Sequence, residues 1–220
     1  PDDASRIALI GSPNGGKTSI FNQLTGLHAK TGNYPGVTVS RSEGVARIHD
    51  HTFAIEDLPG TYSLSPISPD EQVVVDVLDG RMDQVSAPDA LVVVADATAL
   101  RRSLLLLAEV LPRHLPTAVV VTMTDELRRR QGSLDVTALS QALGVPVVAV
   151  VANRGIGIGE LRNLLTTWHD WDRPPLDPPS RSSELAGWVD SVLDTAGYED
   201  PDPDSRTERI DKVLLHPVWG

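Results

Sequence analysis

Short apolar runs alternate with amphipathic segments along most of this chain. The runs that stand out as candidate buried strands are Arg6–Ile10, Leu91–Ala95, Ala118–Val121 and Val147–Val151. Apolar residues recur at helical spacing in Ser19–Leu24, Glu71–Asp79, Ala99–Leu111, Asp125–Arg130, Asp135–Leu143 and Gly159–Trp168. Continuous apolar runs are typical of parallel strands that are covered on both faces. Their alternation with helices predicts βαβ units and a doubly wound α/β domain.

Residues 41–57 show a different pattern, in which polar and apolar side chains alternate on both sides of a tight connection at Asp50. This alternation predicts an antiparallel hairpin. With the four buried runs it makes a mostly parallel, six-stranded sheet with helices on both faces. Residues 27–40 and 61–69 are rich in glycine, proline and serine, so we expect loops there, the first of them mobile. Asp70 is a plausible N-cap for the helix that follows.

The pattern changes near residue 171. The segment Arg173–Pro179 carries four prolines, which predict a stiff linker. Beyond it, Ser183–Ala196 and Ser205–Leu215 have helical spacing. We expect them to pack on the preceding domain or on another copy of the chain. The candidate anchors are Trp188, Tyr198 and Trp219. We therefore divide the chain into an α/β domain (1–170), a linker (171–182) and a short helical domain (183–220).

Composition narrows the functional classes. The 220 residues are 40% hydrophobic, enough for one α/β domain with an appendage. A net charge of −11 argues against an extended nucleic-acid-binding face. Because the chain has no cysteine, disulfides and thiolate metal sites are excluded. No apolar run approaches the length of about 18 residues that a membrane-spanning helix needs.

One glycine-rich turn joins the first strand to the first helix. Gly11–Thr18 fits the pattern G-x-x-x-x-G-K-[ST] in the strand–loop–helix context that this phosphate-binding motif requires. Glycines let backbone N–H groups line an anion-sized nest, and the helix N-terminus adds its partial positive charge. Lys17 can reach the β- and γ-phosphates, and the Thr18 hydroxyl can hold Mg²⁺. The predicted nucleotide-binding residues of this turn are Gly11, Asn14, Gly15, Gly16, Lys17, Thr18 and Ser19.

Two later features narrow the nucleotide site. Asp57-Leu58-Pro59-Gly60 ends a predicted strand. The Asp57 carboxylate can hold Mg²⁺ through a water, and the Gly60 N–H can contact a γ-phosphate. Thr38 lies in the loop between the two motifs, where a hydroxyl can complete the Mg²⁺ shell once the γ-phosphate orders that loop. Gly36, on the same loop, is counted with the nucleotide-binding residues.

The chain resembles the GTP-binding domain of the bacterial ferrous iron transporter B (FeoB) family. The resemblance rests on Gly11–Ser19, Gly32–Val39, Asp57–Leu64 and Asp211–Gly220. It covers nearly the whole chain, and generic Ras-like GTPases lack its second and last motifs. It implies a Ras-like fold and a GTP-hydrolysing cytosolic domain that regulates Fe²⁺ uptake through a permease beyond Gly220. The expected location is the cytoplasmic face of the bacterial inner membrane, with this fragment itself soluble.

The resemblance also implies how catalysis works. Ras-type enzymes place a glutamine after D-x-x-G to orient the attacking water, whereas this chain has Thr61. FeoB-like GTPases are similar to a K⁺-activated group in which a P-loop asparagine helps to hold the ion, and Asn14 occupies that place. An ordinary turn residue in a left-handed conformation is the alternative for Asn14. The implied activity is slow, Mg²⁺-dependent and K⁺-stimulated, with Lys17, Asn14, Thr38 and Gly60 as its catalytic residues.

The base-reading motifs depart from the family pattern. Guanine recognition in these GTPases resembles N-x-x-D followed later by S-A, where the aspartate accepts from the base and the alanine N–H donates to it. Here the two motifs read Thr122-Met123-Thr124-Asp125 and Val151-Ala152-Asn153. We expect Asp125 still to discriminate. The loss of a brace at Thr122 and of a hydroxyl at Val151 is expected to relax the base specificity.

The expected cofactors are GTP or GDP, Mg²⁺ and K⁺. The expected partners are the guanine nucleotide, the transporter's own membrane domain and small cytosolic iron-transport accessory proteins. Nucleic acid is not expected, and homo-oligomerisation is left open. Two alternatives remain: a nucleotide-sensing module with negligible hydrolysis, and a soluble assembly GTPase of the ribosome or tRNA-modification type. The negative charge and the ending His216–Gly220 speak against the second.

Overall fold

The structure, a computed structural model, describes residues 4–203. The predicted helix Ser205–Leu215, the candidate anchor Trp219 and the motif Asp211–Gly220 lie outside the described residues. Everything that follows on the fold concerns residues 4–203.

The predicted apolar runs and the predicted hairpin form strands of one mixed sheet. The order of its strands is β2-β3-β4-β1-β5-β6-β7. The strands are β1 Ser5–Gly11, β2 Ala29–Asn33, β3 Ser40–Ile48, β4 His51–Asp57, β5 Ala90–Asp96, β6 Thr117–Thr122 and β7 Val147–Ala149. Strand β3 is antiparallel to its neighbours, and β4, β1, β5, β6 and β7 are mutually parallel. Strands β2–β4 lie on one side of β1, and strands β5–β7 lie on the other. Gly11–Thr18 therefore follows β1 at the reversal point where open α/β sheets bind ligands.

Helices cover both faces of this sheet, as the alternating pattern predicts. They are α1 Lys17–Thr25, α2 Pro69–Leu78, α3 Leu100–Val110, α4 Thr124–Arg129, α5 Val136–Leu143, α6 Ile158–Thr166 and α7 Ser182–Thr195. Helices α1 and α6 contribute to the core on one face, and α2, α3, α5 and α7 to the core on the other. The doubly wound α/β fold is confirmed. None of the helices within residues 4–203 combines the length and apolarity needed to cross a membrane.

The sheet has seven strands, one more than the six predicted. Part of the segment predicted as a mobile loop, Ala29–Asn33, pairs antiparallel with β3 as the edge strand β2. All five of its residues are exposed. Backbone hydrogen bonds hold such a strand, so it shows none of the hydrophobic alternation that marks a half-buried strand. The loop prediction was wrong for these five residues.

Helix α2 begins earlier than the sequence pattern indicated. Its N-cap is Ser68, whose hydroxyl accepts a hydrogen bond from the Glu71 N–H, and Pro69 is its first residue. Proline is favoured at the first helical position, and serine followed by glutamate three residues later is a capping-box pattern. The predicted N-cap Asp70 was therefore wrong, and this residue lies in the first turn.

The first predicted tail helix packs on the α/β domain. Val189, Val192 and Leu193 of α7 belong to the same buried cluster as residues of α3 and α5. The Tyr198 hydroxyl donates to the Ala97 carbonyl at 2.9 Å, and the Arg130 and Asp202 backbones are joined by a 2.7 Å hydrogen bond. Helix α7 thus shares a core with the sheet, and the division of the chain at residues 171–182 stays a prediction.

Candidate nucleotide site

The turn between β1 and α1 has the backbone that an anion-binding nest needs. Asn14 and Gly16 lie in the left-handed region, with φ of 61° and 90°, and the Gly15 N–H donates to the Ser12 carbonyl at 3.3 Å. Mixing left- and right-handed residues in this way turns successive N–H groups towards one concavity. Helix α1 starts directly after it, at Lys17, so its N-terminus faces the same space.

On one side of this turn lies a cavity of about 420 Å³ that we call the phosphate pole. The predicted site residues that line it are Lys17, Thr18, Thr38, Asp57 and Gly60. They come from three separate stretches of sequence: the start of α1, the loop before β3, and the end of β4 with the turn that follows it. Ser40, Ser42 and Asp70 also line the cavity. No motif marked these three residues.

A hydroxyl and a carboxylate meet at the centre of the phosphate pole. The Thr18 hydroxyl donates to Asp57 Oδ2 at 2.8 Å. The other oxygen, Oδ1, is buried and has no hydrogen-bond partner among residues 4–203. A carboxylate oxygen left unsatisfied beside a hydroxyl fits a hydrated Mg²⁺, which binds through one or two protein oxygens and keeps several waters. The donor set therefore fits the expected ion.

The two charges at the phosphate pole are shifted by burial in opposite senses. Burial raises the pKa of Asp57, against the effects of the Thr18 hydrogen bond and of Lys17. Burial lowers the pKa of Lys17, which Asp57 partly offsets. Each group is poorly solvated and is only partly compensated by the other. Such desolvated, mutually facing charges are typical of functional sites.

The segment after Asp57 is held tightly against the turn. A Cβ on Gly60 would lie 2.8 Å from the Pro13 ring, so this close approach requires glycine. The Thr61 N–H donates to the Gly11 carbonyl at 3.0 Å. The Thr61 side chain is fully buried, and its hydroxyl donates to the Ser63 carbonyl within its own loop. The residue that stands in the place of a catalytic glutamine therefore points into its own turn.

Helix α3 holds the loop that follows Thr61. The Glu109 carboxylate accepts hydrogen bonds from the Ser63 hydroxyl, at 3.0 Å, and from the Leu64 N–H. The Arg102 guanidinium stacks over the Tyr62 ring at 5.1 Å. Neither α3 residue was predicted as part of the site, because each lies at a polar position of an amphipathic helix.

On the other side of the turn a second cavity, of about 370 Å³, forms what we call the base pole. The predicted residues that line it are Gly16, Ser19, Thr122, Met123, Asp125, Val151, Ala152 and Asn153. Glu126 and Arg129, which form an ion pair, line it too and were missed. Of the other predicted residues, Gly11, Asn14, Gly15 and Gly36 line neither pole. Asn14 and Gly36 are exposed.

Thr122 corrects one expectation. Its side chain is buried, and its hydroxyl donates to the Gly15 carbonyl at 2.8 Å and lies 3.3 Å from the Ala95 carbonyl. The hydroxyl thus ties the end of β6 to the glycine-rich turn. The expectation that threonine would leave this brace missing was wrong. The threonine hydroxyl reaches the Gly15 carbonyl even though a threonine side chain is shorter than that of asparagine.

A residue of α1 supports the far wall of the base pole. The Gln23 amide donates to the Ala152 carbonyl at 2.9 Å. The Val151 N–H donates to the Ile156 carbonyl at 3.0 Å, which closes a short turn. Val151 itself supplies no hydroxyl to this wall. Gln23 was not predicted, since no motif pairs an α1 side chain with a loop so far along the chain.

Fold and site together define a P-loop α/β domain of the Ras-like type. A model of the family described as "Ferrous iron transport protein B" matches residues 5–165. The Fe(2+) transporter FeoB of Leptospira biflexa is 43% identical over 160 residues, which are 73% of this chain and 23% of that protein. This chain belongs to the ferrous iron transport protein B family, and the resemblance seen in its motifs is confirmed.

Two further relatives extend the comparison. The Fe(2+) transport protein A/Fe(2+) transporter FeoB fusion protein of Porphyromonas gingivalis is 42% identical over 165 residues, 75% of this chain and 19% of that protein. The cytosolic domain of the T. maritima FeoB iron transporter, solved in its GMPPNP form, superposes with a TM-score of 0.77 at 27% identity. That match covers 89% of this chain and all of the other. The chain spans about a fifth of the length of the curated relatives it matches.

Proposed function

We propose that this chain binds guanine nucleotides and hydrolyses GTP to GDP and phosphate. The observation that carries the proposal is the meeting of Lys17, Thr18, Thr38, Asp57 and Gly60 around one cavity. The base pole lies on the opposite side of the same turn, so one extended ligand can reach both. The GMPPNP form of the T. maritima relative supports a guanine nucleotide as that ligand.

The phosphates would be bound chiefly by the backbone. Amides of Asn14–Ser19 and the N-terminus of α1 provide fixed donors, and the buried Lys17 ammonium adds a full charge between the β- and γ-phosphates. Thr18 and Thr38 would hold Mg²⁺ directly. Asp57 would hold it through a water on Oδ1, which has no hydrogen-bond partner within residues 4–203. When bound, this ion neutralises phosphate charge that builds up as the bond to the leaving group breaks.

Water would attack the γ-phosphate without help from a side-chain base. The buried Thr61 hydroxyl donates to the Ser63 carbonyl. Catalysis would therefore depend on hydrogen-bond donors that are already in place around the phosphates. The Gly60 N–H and Lys17 stabilise charge on the γ-phosphate, as preorganised donors do at developing anions. Such a site is expected to be slow, because Thr61 stands where a glutamine would orient the water.

Asn14 would help to hold a K⁺ ion beside the phosphates, in addition to Lys17 and Mg²⁺. It is exposed, so its amide oxygen is accessible to an ion beside the phosphates. Its left-handed backbone would by itself account for an asparagine here. Replacing Na⁺ by K⁺ separates the two roles: stimulation of turnover supports the ion site, and unchanged turnover leaves only the turn residue.

Guanine would be read by Asp125, with less discrimination against adenine than is usual in the family. Thr122 retains the brace to Gly15, so Val151 is the remaining cause for a looser pocket, through the missing hydroxyl. A charged hydrogen bond from Asp125 contributes about 1.5–3 kcal/mol. Competition of GDP against ADP measures the result, and discrimination above about 10³-fold would contradict relaxed specificity.

In the whole protein, this domain would regulate Fe²⁺ uptake through the membrane domain of the transporter, in keeping with the Fe(2+) transporter names of the curated relatives. It would lie at the cytoplasmic face of the bacterial inner membrane, in keeping with the cytosolic domain of the T. maritima relative. The Porphyromonas fusion joins transport protein A to FeoB in one chain. A small accessory protein of that kind is therefore a reasonable partner, together with the membrane domain.

One alternative has an observation in its favour. No glutamine follows Gly60, and Thr61 is buried in its place. This fits a nucleotide sensor in which the bound nucleotide, rather than its hydrolysis, positions the loops that carry Thr38 and Thr61. Single-turnover hydrolysis of bound GTP distinguishes the two. The third reading, an assembly GTPase acting on ribosomes or tRNA, gains no support from membership of an iron-transport family.

The deciding experiment is phosphate release from Mg²⁺·GTP by the chain and by Lys17→Ala. The variant is expected to lose about 10²-fold or more in rate, the usual effect of removing a donor to developing charge. Lys30→Ala is the matched control, because Lys30 is an exposed lysine on the edge strand β2. Hydrolysis by Lys17→Ala at the parent rate would contradict the proposed function.

A further inference from the structure

A buried carboxylate, Glu56, accepts hydrogen bonds from three side chains. Its side chain is 5% exposed. Glu56 Oε1 accepts from the Tyr34 hydroxyl and from Arg41 Nε, each at 2.9 Å, and Oε2 accepts from an Arg6 guanidinium N–H at 2.9 Å. Both oxygens are thus satisfied by groups from β1, from β3 and from the segment that follows β2. Glu43 extends the cluster by pairing with both arginines.

The position of Glu56 connects this cluster to the nucleotide site. It is the residue before Asp57 on β4, so the cluster begins one peptide bond away from the carboxylate assigned to Mg²⁺. The cluster does not line the phosphate pole and plays no part in the proposed chemistry. Its most buried member is Tyr34, which is 1% exposed.

Tyr34 also closes the base of the loop that carries Thr38. The Tyr34 N–H donates to the Val39 carbonyl at 2.9 Å, and both side chains are buried in the same core cluster. Only residues 35–38 protrude beyond this pair. Thr38 therefore sits on a four-residue tip, which we call the Thr38 loop, rather than on a long free segment.

The tyrosine hydroxyl is well suited to hold this loop. Burial, followed by the neighbouring Glu56, raises the pKa of Tyr34, so the hydroxyl keeps its proton and remains a donor. The Arg41 guanidinium also stacks over the ring, 5.8 Å from its centroid. Releasing Tyr34 would expose an aromatic ring and remove one donor from a buried carboxylate, and both changes are unfavourable.

We propose that Tyr34 and Glu56 form a positioning pair that keeps the Thr38 loop next to the phosphate pole before nucleotide binds. A loop that is already placed loses less conformational freedom when Thr38 meets the ion and the γ-phosphate. The pair therefore favours the triphosphate over the diphosphate, since only the triphosphate engages Thr38. This inference rests on the proposed function and adds to it two residues that touch neither nucleotide nor ion.

The test is Tyr34→Phe, which keeps the buried ring and removes only the hydroxyl. With Mg²⁺ present, GMPPNP is expected to bind about tenfold more weakly, the effect of losing a hydrogen bond to a charged group. GDP affinity is expected to stay within about twofold, as its site lies apart from Thr38. Tyr198→Phe is the matched control, because it removes a hydroxyl whose 2.9 Å hydrogen bond to Ala97 lies elsewhere.

A double-mutant cycle with Thr38→Ala tests whether Tyr34 acts through Thr38. If it does, Tyr34→Phe has no further effect on the ratio of GMPPNP to GDP affinity once the Thr38 hydroxyl is gone. An equal loss for both nucleotides, or an undiminished loss in the Thr38→Ala background, would contradict the proposal. Failure of the parent chain to bind any guanine nucleotide would instead overturn the proposed function.

Hydrogen exchange tests the same pair without nucleotide. In the parent chain the Tyr34 and Val37 amides are hydrogen-bonded, to the Val39 and Tyr34 carbonyls respectively. Tyr34→Phe is expected to speed their exchange by about tenfold, because the loop opens locally more often. The same rates in parent and variant would show that the hydroxyl does not hold the loop.

Discussion

The two poles of the site are built in different ways. At the phosphate pole, the predicted side chains of Lys17, Thr18, Thr38 and Asp57 lie on the cavity wall, although that of Asn14 does not. Close backbone contacts such as that of Gly60 with Pro13 fix the geometry. The base pole keeps its shape through single side-chain hydrogen bonds, from Thr122 to Gly15 and from Gln23 to Ala152. Backbone contacts tolerate little change, whereas a side-chain brace can be supplied by another residue type.

This difference predicts that substitutions at the phosphate pole have larger effects than substitutions at the base pole. The largest is expected for Gly60→Ala. Its Cβ would lie within 3 Å of three Pro13 atoms, so the segment must move and its N–H leaves the γ-phosphate position. Loss of one such donor costs about 10²–10³-fold in turnover. Single-turnover GTP hydrolysis measures it.

Gly32→Ala is the control for this change, since a Cβ on Gly32 meets no atom within 4 Å. GDP binding by Gly60→Ala should be nearly unchanged, because the diphosphate does not reach the Gly60 N–H. Turnover of Gly60→Ala close to that of the parent would mean that the phosphate pole is as tolerant as the base pole.

Asp125→Ala is expected to have the next largest effect, and only on the choice of base. Removing a charged hydrogen bond to guanine should reduce the preference for GDP over ADP by about 10–100-fold. Competition binding with both diphosphates measures the ratio. Glu160→Ala controls for the loss of a negative charge, because Glu160 is an exposed acidic residue on α6. An unchanged ratio would mean that another residue reads the base.

The phosphate pole could be predicted from the sequence because its residues are adjacent in short motifs. Phosphate binding requires an inward-facing backbone, a lysine and a hydroxyl at fixed spacing, and these requirements leave a recognisable pattern at Gly11–Thr18. Asp57 and Gly60 form a second such pattern. The doubly wound fold followed from the apolar runs for a similar reason, since buried parallel strands leave continuous hydrophobic segments.

The site features that could not be predicted depend on contacts between residues that are far apart in the sequence. Gln23 meets a carbonyl 129 residues away, and Glu109 meets a loop about 45 residues before it. A glutamine or glutamate on a helix surface looks the same whether or not it has such a partner. The edge strand β2 carries no apolar pattern at all. Thr122 was visible but misinterpreted, because only the structure gives the reach of its hydroxyl.

Thr122→Val separates the brace from base reading. Valine keeps the shape of threonine but leaves the Gly15 carbonyl without its donor, so the free energy of unfolding should fall by about 1–2 kcal/mol. GDP and ADP should both bind a few-fold more weakly, with their ratio unchanged. Thr122→Ser retains a hydroxyl and should behave like the parent. A change in the GDP-to-ADP ratio for Thr122→Val would make Thr122 a base-reading residue.

Gln23→Ala should have the smallest effect, and it examines the far wall of the base pole. The amide of this exposed side chain donates to the Ala152 carbonyl, and an exposed neutral hydrogen bond contributes about 0.5–1.5 kcal/mol at most. GDP affinity should fall about two- to fivefold, because the Ala152 N–H then faces the base from a less ordered turn. Gln72→Ala is the matched control: its amide also makes one exposed hydrogen bond, to Asp76 on α2. Inorganic phosphate analogues that occupy only the phosphate pole should bind both variants as they bind the parent. An effect of Gln23→Ala on the binding of those analogues would mean that the two poles are coupled through α1. The contrast between a rigid phosphate pole and an adjustable base pole would then no longer hold.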